Sequence, residues 1–440
     1  MSIERCKLRR MRLFADIPPA SLVILPSNPT APRSHDTEHP YRQNSDVIYL
    51  SGFEEQDSIL VMQKLADGSS KTILFVQPRD PEKESWTGKR VGPERAPEWF
   101  GVDEAFVNTE LEQWVGEAFK EAYTLYYSFG TRTEVDQVVL GALKSVKRHR
   151  QRNYVGVRSI INPMDLIHES RLIKDDEELK VMRRAAEISV EAHSLAMKAM
   201  SPGIMEYEIE AVVNGHFRKC GGFAPAYTSI CASGDNATIL HYVENNEECK
   251  DGELFLIDAG AEYKYYAADI SRTYPVNGKF THEQKQVYEV VLKAFKASID
   301  HCRVGNTFQS VHDLAVRFLT EGLVELGVLE GDIDELIKEE KYKPFFMHRI
   351  GHWLGLDTHD VGFYKLAGDP EAEDRPLKPN MVLTIEPGLY FTPNCEDVPE
   401  KYRGIGVRIE DNVLVTAEGP EVLTVGLPVE ISEIESLMRS

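Results

Sequence analysis

The sequence predicts two domains: an α/β domain over residues 1–165 and an α+β domain with two pseudo-symmetric halves over residues 174–440, joined by a linker at 166–173. Three observations predict this. A chain of 440 residues is longer than one ordinary core organises. Its first part alternates short apolar runs with helical spacing. From Lys174 onward, helices come in pairs and strands in hairpins, and that succession occurs twice.

Composition narrows the class. Hydrophobic residues make up 42% and charged residues 28%, which is globular composition. Lys plus Arg number 50 against 71 Asp plus Glu, a net charge of −21. Nucleic acid and anionic membranes would repel such a surface, so neither is expected as a partner. The cysteines Cys6, Cys220, Cys231, Cys249, Cys302 and Cys395 lie far apart with no CxxC pair, and read as free thiols of a reducing compartment. Met1 to Arg12 is basic but lacks the apolar core of a signal peptide. No apolar run approaches the ~20 residues of a membrane span. The expectation is a soluble cytoplasmic protein.

In the first domain, Ser21–Leu25, Val47–Leu50, Ile59–Met62 and Thr72–Val76 are β-branched or leucine-rich and bounded by Pro, Gly or Asp, which predicts strands. Ala105–Val107 and Leu125–Ser128 extend the set. Helix spacing covers Thr109–Ala122 and Thr133–His149, the latter ending in the basic run Lys147-Arg148-His149-Arg150. The domain has neither GxxxxGK nor a GxGxxG after a strand, so the common nucleotide loops are excluded. Gln151 to Arg171 reads as connector.

The second domain opens on Asp175 with Glu178 three residues on, a capping-box start; Leu179, Met182, Ala186 and Val190 share one helical face. Met205–Lys219 is a second helix, closed by Gly221-Gly222. A further pair opens at Thr281, with Gln284 at the capping-box position, and at Thr307. Strand signals return at Val382–Ile385 and Val407–Val415.

The chemistry sits on these strands. Leu254-Phe255-Leu256-Ile257 is a buried run ending in Asp258, and Asp269 follows eleven residues later. Val382-Leu383-Thr384-Ile385 carries Glu386 into Pro387-Gly388. In Gly404 to Asp411, Arg408 and Glu410 are two apart, hence on one strand face. A charged group at the end of one apolar strand is ordinarily a capped turn or an ion pair. Four strands each delivering a carboxylate are a different matter, because Asp258, Asp269, Glu386 and Glu410 cannot share a buried site ionised without cations. Two divalent ions would cancel their charge. Oxygen-rich donors with a single imidazole favour Mn(II), with Co(II) or Fe(II) as alternatives, over a structural zinc site.

Between the two carboxylate pairs lie His348, His352 and His359, within twelve positions of an apolar, glycine-bearing run. Three histidines there read as chemistry rather than packing. The spacing of the first two resembles HExxH, but Arg349-Ile350-Gly351 supplies no zincin glutamate.

These segments resemble the metal-dependent "pita-bread" peptidases, a family that includes methionine aminopeptidase, prolidase and aminopeptidase P. The resemblance covers residues 174–440 and rests on Ile239-Leu240-His241-Tyr242, Leu256 to Gly260, Asp269 to Thr273, His348 to Gly362, Thr384 to Gly388 and Arg408 to Asp411, in the family's order. His39 to Asp46 and Tyr49-Leu50-Ser51-Gly52-Phe53 resemble the N-terminal creatinase/aminopeptidase P-type domain. The resemblance implies metal ligands Asp258, Asp269, His352, Glu386 and Glu410, with Asp269 and Glu410 bridging two divalent ions, Mn(II) foremost and Co, Fe or Zn as alternatives. It implies catalytic or substrate-facing roles for His241, His348 and His359, a brace in Arg408, and substrate contacts from Tyr227 and Trp86, the latter reaching a neighbouring subunit's site in a homo-oligomer (dimer or tetramer). Two departures stand out: Arg349 where a small residue is common, and a long acidic segment from Tyr364 to Pro376.

The expected activity is that of a metal-dependent aminopeptidase releasing the N-terminal residue from peptides with proline second. A water held between two ions would be the nucleophile, its pKa lowered from ~15.7 towards neutrality. Glu386 would take its proton, while His348 and His359 stabilise the oxyanion and serve the leaving nitrogen. A prolidase, restricted to dipeptides, is the alternative enzyme. A non-catalytic peptide-binding module of the same fold is the alternative outside enzymes, and such modules lose ligands that are intact here.

Overall fold

The computed structural model describes residues 2–149 and 156–439, in two compact units, Met1–Ser170 and Arg171–Ser440. Residues 150–155, where the basic run ends and the connector begins, lie outside the described residues, as does Met1.

In the first unit, α1 (Ile3–Asp16) is followed by β1 (Ser21–Pro26) and α2 (Ser45–Ser51). Then come β2 (Ile59–Lys64), β3 (Ser70–Val76), α3 (Pro81–Thr87), β4 (Glu104–Val107), α4 (Leu111–Ala118), β5 (Thr124–Tyr126), α5 (Thr133–His149) and β6 (Ser159–Ile161). A six-stranded sheet has the order β4-β3-β2-β1-β5-β6. Its β1–β2 and β2–β3 pairings are antiparallel, and its β3–β4, β1–β5 and β5–β6 pairings are parallel. The core packs Val115 and Phe119 of the α4 region and Val135 and Val139 of α5 against Leu22, Val61 and Phe75 of the sheet.

Two expectations fail here. Val47–Leu50 is helix, not strand. Asn44 caps it by accepting from the backbone N–H groups of Asp46 and Val47, and Gly52 ends it at φ 68°, so capping and a left-handed stop override β-branched composition. Within Gln151–Arg171, read as connector, Ser159–Ile161 pairs with β5 and a helix, α6 (Met164–Leu172), follows.

The second unit repeats one scheme. In its first half, α7 (Asp176–Ala199) and α8 (Glu206–Lys219) precede β7 (Ile230–Ser233), β8 (Leu254–Asp258) and β9 (Ser271–Pro275), in sheet order β9-β8-β7. In its second half, α9 (His282–His301) and α10 (Phe308–Glu325) precede β10 (Val382–Ile385), β11 (Gly388–Tyr390), β12 (Gly406–Arg408), β13 (Asp411–Val415) and β14 (Pro420–Val422). There β13 lies between β10 and β14, and β11 pairs with β12. The capping boxes read from sequence form at Asp175/Glu178 and Thr281/Gln284, each cap accepting from the N3 amide while the N3 side chain accepts from the cap's N–H. One continuous apolar core joins both helix pairs to the backs of both sheets, from Ile188 and Val213 to Leu319, Leu383 and Val413.

The Val407–Val415 strand is a further correction. It breaks into β12 and β13, with Glu410 in the link, so Arg408 and Glu410 do not share a strand face. Residues 259–270 lie between β8 and β9. They hold a small hairpin pairing Glu262–Tyr263 with Tyr266–Ala267.

Candidate metal centre

Backbone register places the acidic groups. In the antiparallel pair β8–β9, Asp258 faces Ser271, which leaves Asp269 just beyond the strand end and Asp258 on its last residue. In the pair β10–β13, Ile385 faces Asp411, so Glu386 and Glu410 stand just beyond that ladder. Each sheet therefore ends in two carboxylates. The ends are tied together: Glu410 N–H donates to Ser271 O at 3.0 Å, and Asp269 N–H to Asn412 Oδ1 at 3.2 Å.

The histidine stretch forms an irregular extra strand against β10. Leu354 N–H donates to Val382 O at 3.0 Å, Thr384 N–H to His352 O at 2.9 Å, and Glu386 N–H to Ile350 O at 2.8 Å. This approach requires Gly351, because a Cβ there would lie 2.0 Å from Thr384 O. Trp353 is fully buried and stacks on Tyr364, with centroids 5.1 Å apart and ring planes 11° apart, which anchors the run. His352 thereby meets the acids: its Nε2 lies 3.4 Å from Asp269 Oδ2 and 3.7 Å from Glu386 Oε1. Its Nδ1 lies 3.0 Å from Trp353 O, an atom that only accepts, so Nδ1 carries a proton and Nε2 is the nitrogen turned to the acids.

Arg408 is the buried counter-charge. Its Nη2 donates to Asp258 Oδ2 at 2.7 Å, its Nε to Ser271 Oγ at 2.9 Å and its Nη1 to Tyr390 OH at 3.1 Å. Ser271 Oγ donates in turn to Glu410 Oε2 at 2.8 Å. His348 Nδ1 bonds Arg349 O at 2.8 Å and its Nε2 pairs with Tyr390 OH at 2.9 Å. His348 thus continues the Arg408–Tyr390 chain with both ring nitrogens engaged. Tyr227 OH donates to Asp258 and Asp269. His359 lies edge-to-face on His352, centroids 4.3 Å apart.

The electrostatics show a cluster short of positive charge. Burial raises Glu410 well above the usual carboxylate range, and Asp269 and Glu386 raise it further. Burial, with Asp258 beside it, also raises Asp269. Glu386 is pushed up to about 7, mainly by burial. Asp258 moves the other way: burial pushes it up, but Arg408 and the hydrogen bonds from Tyr227 and Ser271 together bring it down. Burial disfavours charge on His352, yet the Asp269 and Glu386 carboxylates hold it up at about 9. His348 is pressed down to about 3 by burial and by Arg408, so it is neutral. Glu410 Oε1 is buried without a hydrogen-bond partner, and ligand atoms of Asp269, His352 and Glu410 lie within 4.8 Å of one another. A buried orphan oxygen among mutually repelling acids is what a bound divalent cation would satisfy, so the donor set fits the metal ions the resemblance implies.

A cleft of about 760 Å³ opens over the cluster, lined among others by Tyr227, His241, Asp258, Asp269, His348, His352, His359, Glu386, Arg408 and Glu410. Trp86 belongs to the first unit and stands 87% exposed on α3. Sequence reasoning did not single out Ser271, Tyr390 or Asn412. Ser271 lies inside the quoted Asp269 to Thr273 motif and Tyr390 two residues after Gly388, and polarity inside a buried strand was the available signal. It also missed the ion pairs of the residues flanking His359, where Arg171 Nη2 bonds Asp357 Oδ2 at 2.7 Å and Asp360 Oδ1 at 2.6 Å, and Lys174 Nζ bonds Asp360 Oδ2 at 3.0 Å.

Known proteins share this sequence and fold. Residues 180–417 match the model of metallopeptidase family M24, and residues 6–127 that of the aminopeptidase P N-terminal domain. The Xaa-Pro aminopeptidase of Escherichia coli (strain K12) is 43% identical over 438 residues, covering 100% of this chain and 98% of the relative. Zn-substituted E. coli aminopeptidase P, solved in complex with product, superposes with a TM-score of 0.96 at 42% identity, covering 100% of this chain and 98% of that one. Aminopeptidase PepP of Pseudomonas aeruginosa superposes at 0.95 with 44% identity and the same coverage.

Proposed function

The chain belongs to metallopeptidase family M24, and from that premise we propose how its residues divide the work. It is a metal-dependent aminopeptidase that releases the N-terminal residue from peptides with proline in the second position. The observation that carries the division is the convergence of Asp258, Asp269, His352, Glu386 and Glu410 on one cleft, with Glu410 Oε1 buried and unpartnered.

These five side chains would hold the ions. When bound, the ions supply Lewis acidity to the scissile carbonyl and acidify a nucleophilic water. Oxygen donors with one imidazole favour Mn(II). Glu386, at the cleft beside His352, is the carboxylate placed to take the water's proton. His359 stands at the cleft beside His352 and, with His241, faces the substrate and serves the leaving nitrogen. His348 stays neutral and, through Tyr390, fixes Arg408 on Asp258. The carboxylates attract the peptide's free amino terminus. A proline leaving group makes the scissile bond a tertiary amide with no N–H to donate in β-strand docking, so a dedicated pocket must receive it.

Two coarser readings accompany this. The cysteines are all free, which supports a reducing, cytoplasmic setting. Exposed Trp86 supports a homo-oligomer in which one subunit's N-terminal domain reaches a neighbour's site. Trp86→Ala should then raise KM on the full-length enzyme.

The test is a panel of Xaa-Pro and Xaa-Pro-Yaa-Zaa peptides with and without Mn(II), read by mass spectrometry. Release of Xaa from the longer peptides, strengthened by Mn(II), is expected. Cleavage of dipeptides alone would indicate a prolidase instead.

A further inference from the structure

Away from the cleft, three side chains of different chemistry converge on the α7–α8 pair. Glu191 projects from α7, His216 from the last turn of α8, and Cys220 is the residue that caps α8. Glu191 Oε2 lies 2.9 Å from His216 Nε2, Cys220 Sγ lies 3.3 Å from the same nitrogen, and Sγ lies 3.9 Å from Oε2. All three ligand atoms fall within 4.8 Å of one another, and none of the three residues lines the catalytic cleft.

We propose that Glu191, His216 and Cys220 form a second, surface metal site for a borderline-soft divalent ion such as Zn(II) or Cd(II). A tetrahedral Zn(II) with bonds of ~2.0–2.3 Å separates its ligands by ~3.3–3.5 Å. The three observed edges bracket those values, and a shift of ~0.4 Å in the half-exposed Glu191 carboxylate would complete the match.

Local structure holds the other two ligands in place. Cys220 N–H donates to His216 O at 3.0 Å, which sets the thiol over the imidazole one turn away. Gly221, at φ 87°, turns the chain, and Gly222 N–H returns to Phe217 O at 2.9 Å. The charges nearby leave the ligand atoms free. Arg184 approaches Glu191 at the other oxygen, Oε1, at 3.7 Å while bonding Glu187, and Arg218 is turned to Gly222 O.

One thiol, one imidazole and one carboxylate suit Zn(II), Cd(II) or Co(II) and disfavour Mg(II) and Mn(II). The site therefore selects differently from the oxygen-rich cleft. A bound ion would staple α8 to α7 and leave its fourth position to water.

The test uses the full-length enzyme with its catalytic centre filled by Mn(II). Cd(II) is titrated while the thiolate-to-metal charge-transfer band is followed in the ultraviolet, a signal the thiol-free catalytic cluster cannot produce. One saturable equivalent per chain is expected. Cys220→Ser should abolish the band, His216→Gln should weaken binding at least tenfold, and Cys395→Ser should change neither. All three variants should keep peptide hydrolysis. A band that survives in Cys220→Ser, or no saturable band in the unaltered protein, overturns the site. An arm without substitutions uses alkylation mapped by mass spectrometry. Zn(II) should slow modification of Cys220 at least tenfold and leave Cys395 unaffected, and equal rates at Cys220 with and without Zn(II) also overturn it.

Discussion

Arg408 and Asp258, 150 residues apart in sequence, meet through a 2.7 Å bond from Nη2 to Oδ2 that joins the ends of β12 and β8. This one contact couples the two halves of the second unit at the acidic cluster. Arg408 also serves Ser271 and Tyr390, so its planar fork satisfies three acceptors on three strands or strand ends.

Replacing Arg408 tests that coupling. Arg408→Ala strands a buried carboxylate and should cost about 3–5 kcal/mol in urea unfolding. Arg408→Lys keeps the charge but cannot reach three acceptors, and kcat should fall about 100-fold, as a ~1 Å misplacement of site groups does. A lysine variant with unchanged kcat would show that charge alone suffices.

Glu410 and His352 are expected to hold metal. Glu410→Gln and His352→Ala should each lose bound metal, measured by elemental analysis, together with peptide hydrolysis. Full activity in either would sink the ligand assignment.

Gly351 is a backbone requirement. A Cβ at that position would lie 2.0 Å from Thr384 O, an atom that cannot move without shifting β10. Gly351→Ala should therefore lower both melting temperature and metal affinity, since His352 and Glu386 lose their register. A variant with unaltered affinity would mean the approach relaxes freely.

His312 supplies a pH-dependent stability term. Burial on α10, with Arg349 nearby, lowers it from 6.5 to about 4. The unfolded chain therefore binds this proton more readily than the folded one, and stability falls as pH drops from about 6.5 towards 4. The full effect is on the order of 3 kcal/mol, and above the unfolded value the group adds no slope. His312→Gln should flatten that part of the acid denaturation profile, and an unchanged profile would place the acid sensitivity elsewhere.

The sequence alone picked out the carboxylates and histidines that line the cleft. Asp258 and Glu386 end apolar runs that must be buried strands, and a buried carboxylate at a strand end requires compensation that composition cannot hide. Helix starts at Asp175 and Thr281 were equally readable, because a capping box is a local hydrogen-bond pattern. Tertiary structure decided the rest. Val47–Leu50 looks like a strand until the Asn44 cap and Gly52 stop make it a helix, and Glu410 leaves the strand of Arg408 because the chain breaks there between two sheets. The Arg408–Tyr390–His348 chain, the Arg171 and Lys174 pairs to Asp360, and the Glu191–His216–Cys220 triangle join residues on separate elements. No spacing rule reports such contacts, because they arise only when packing brings those elements together.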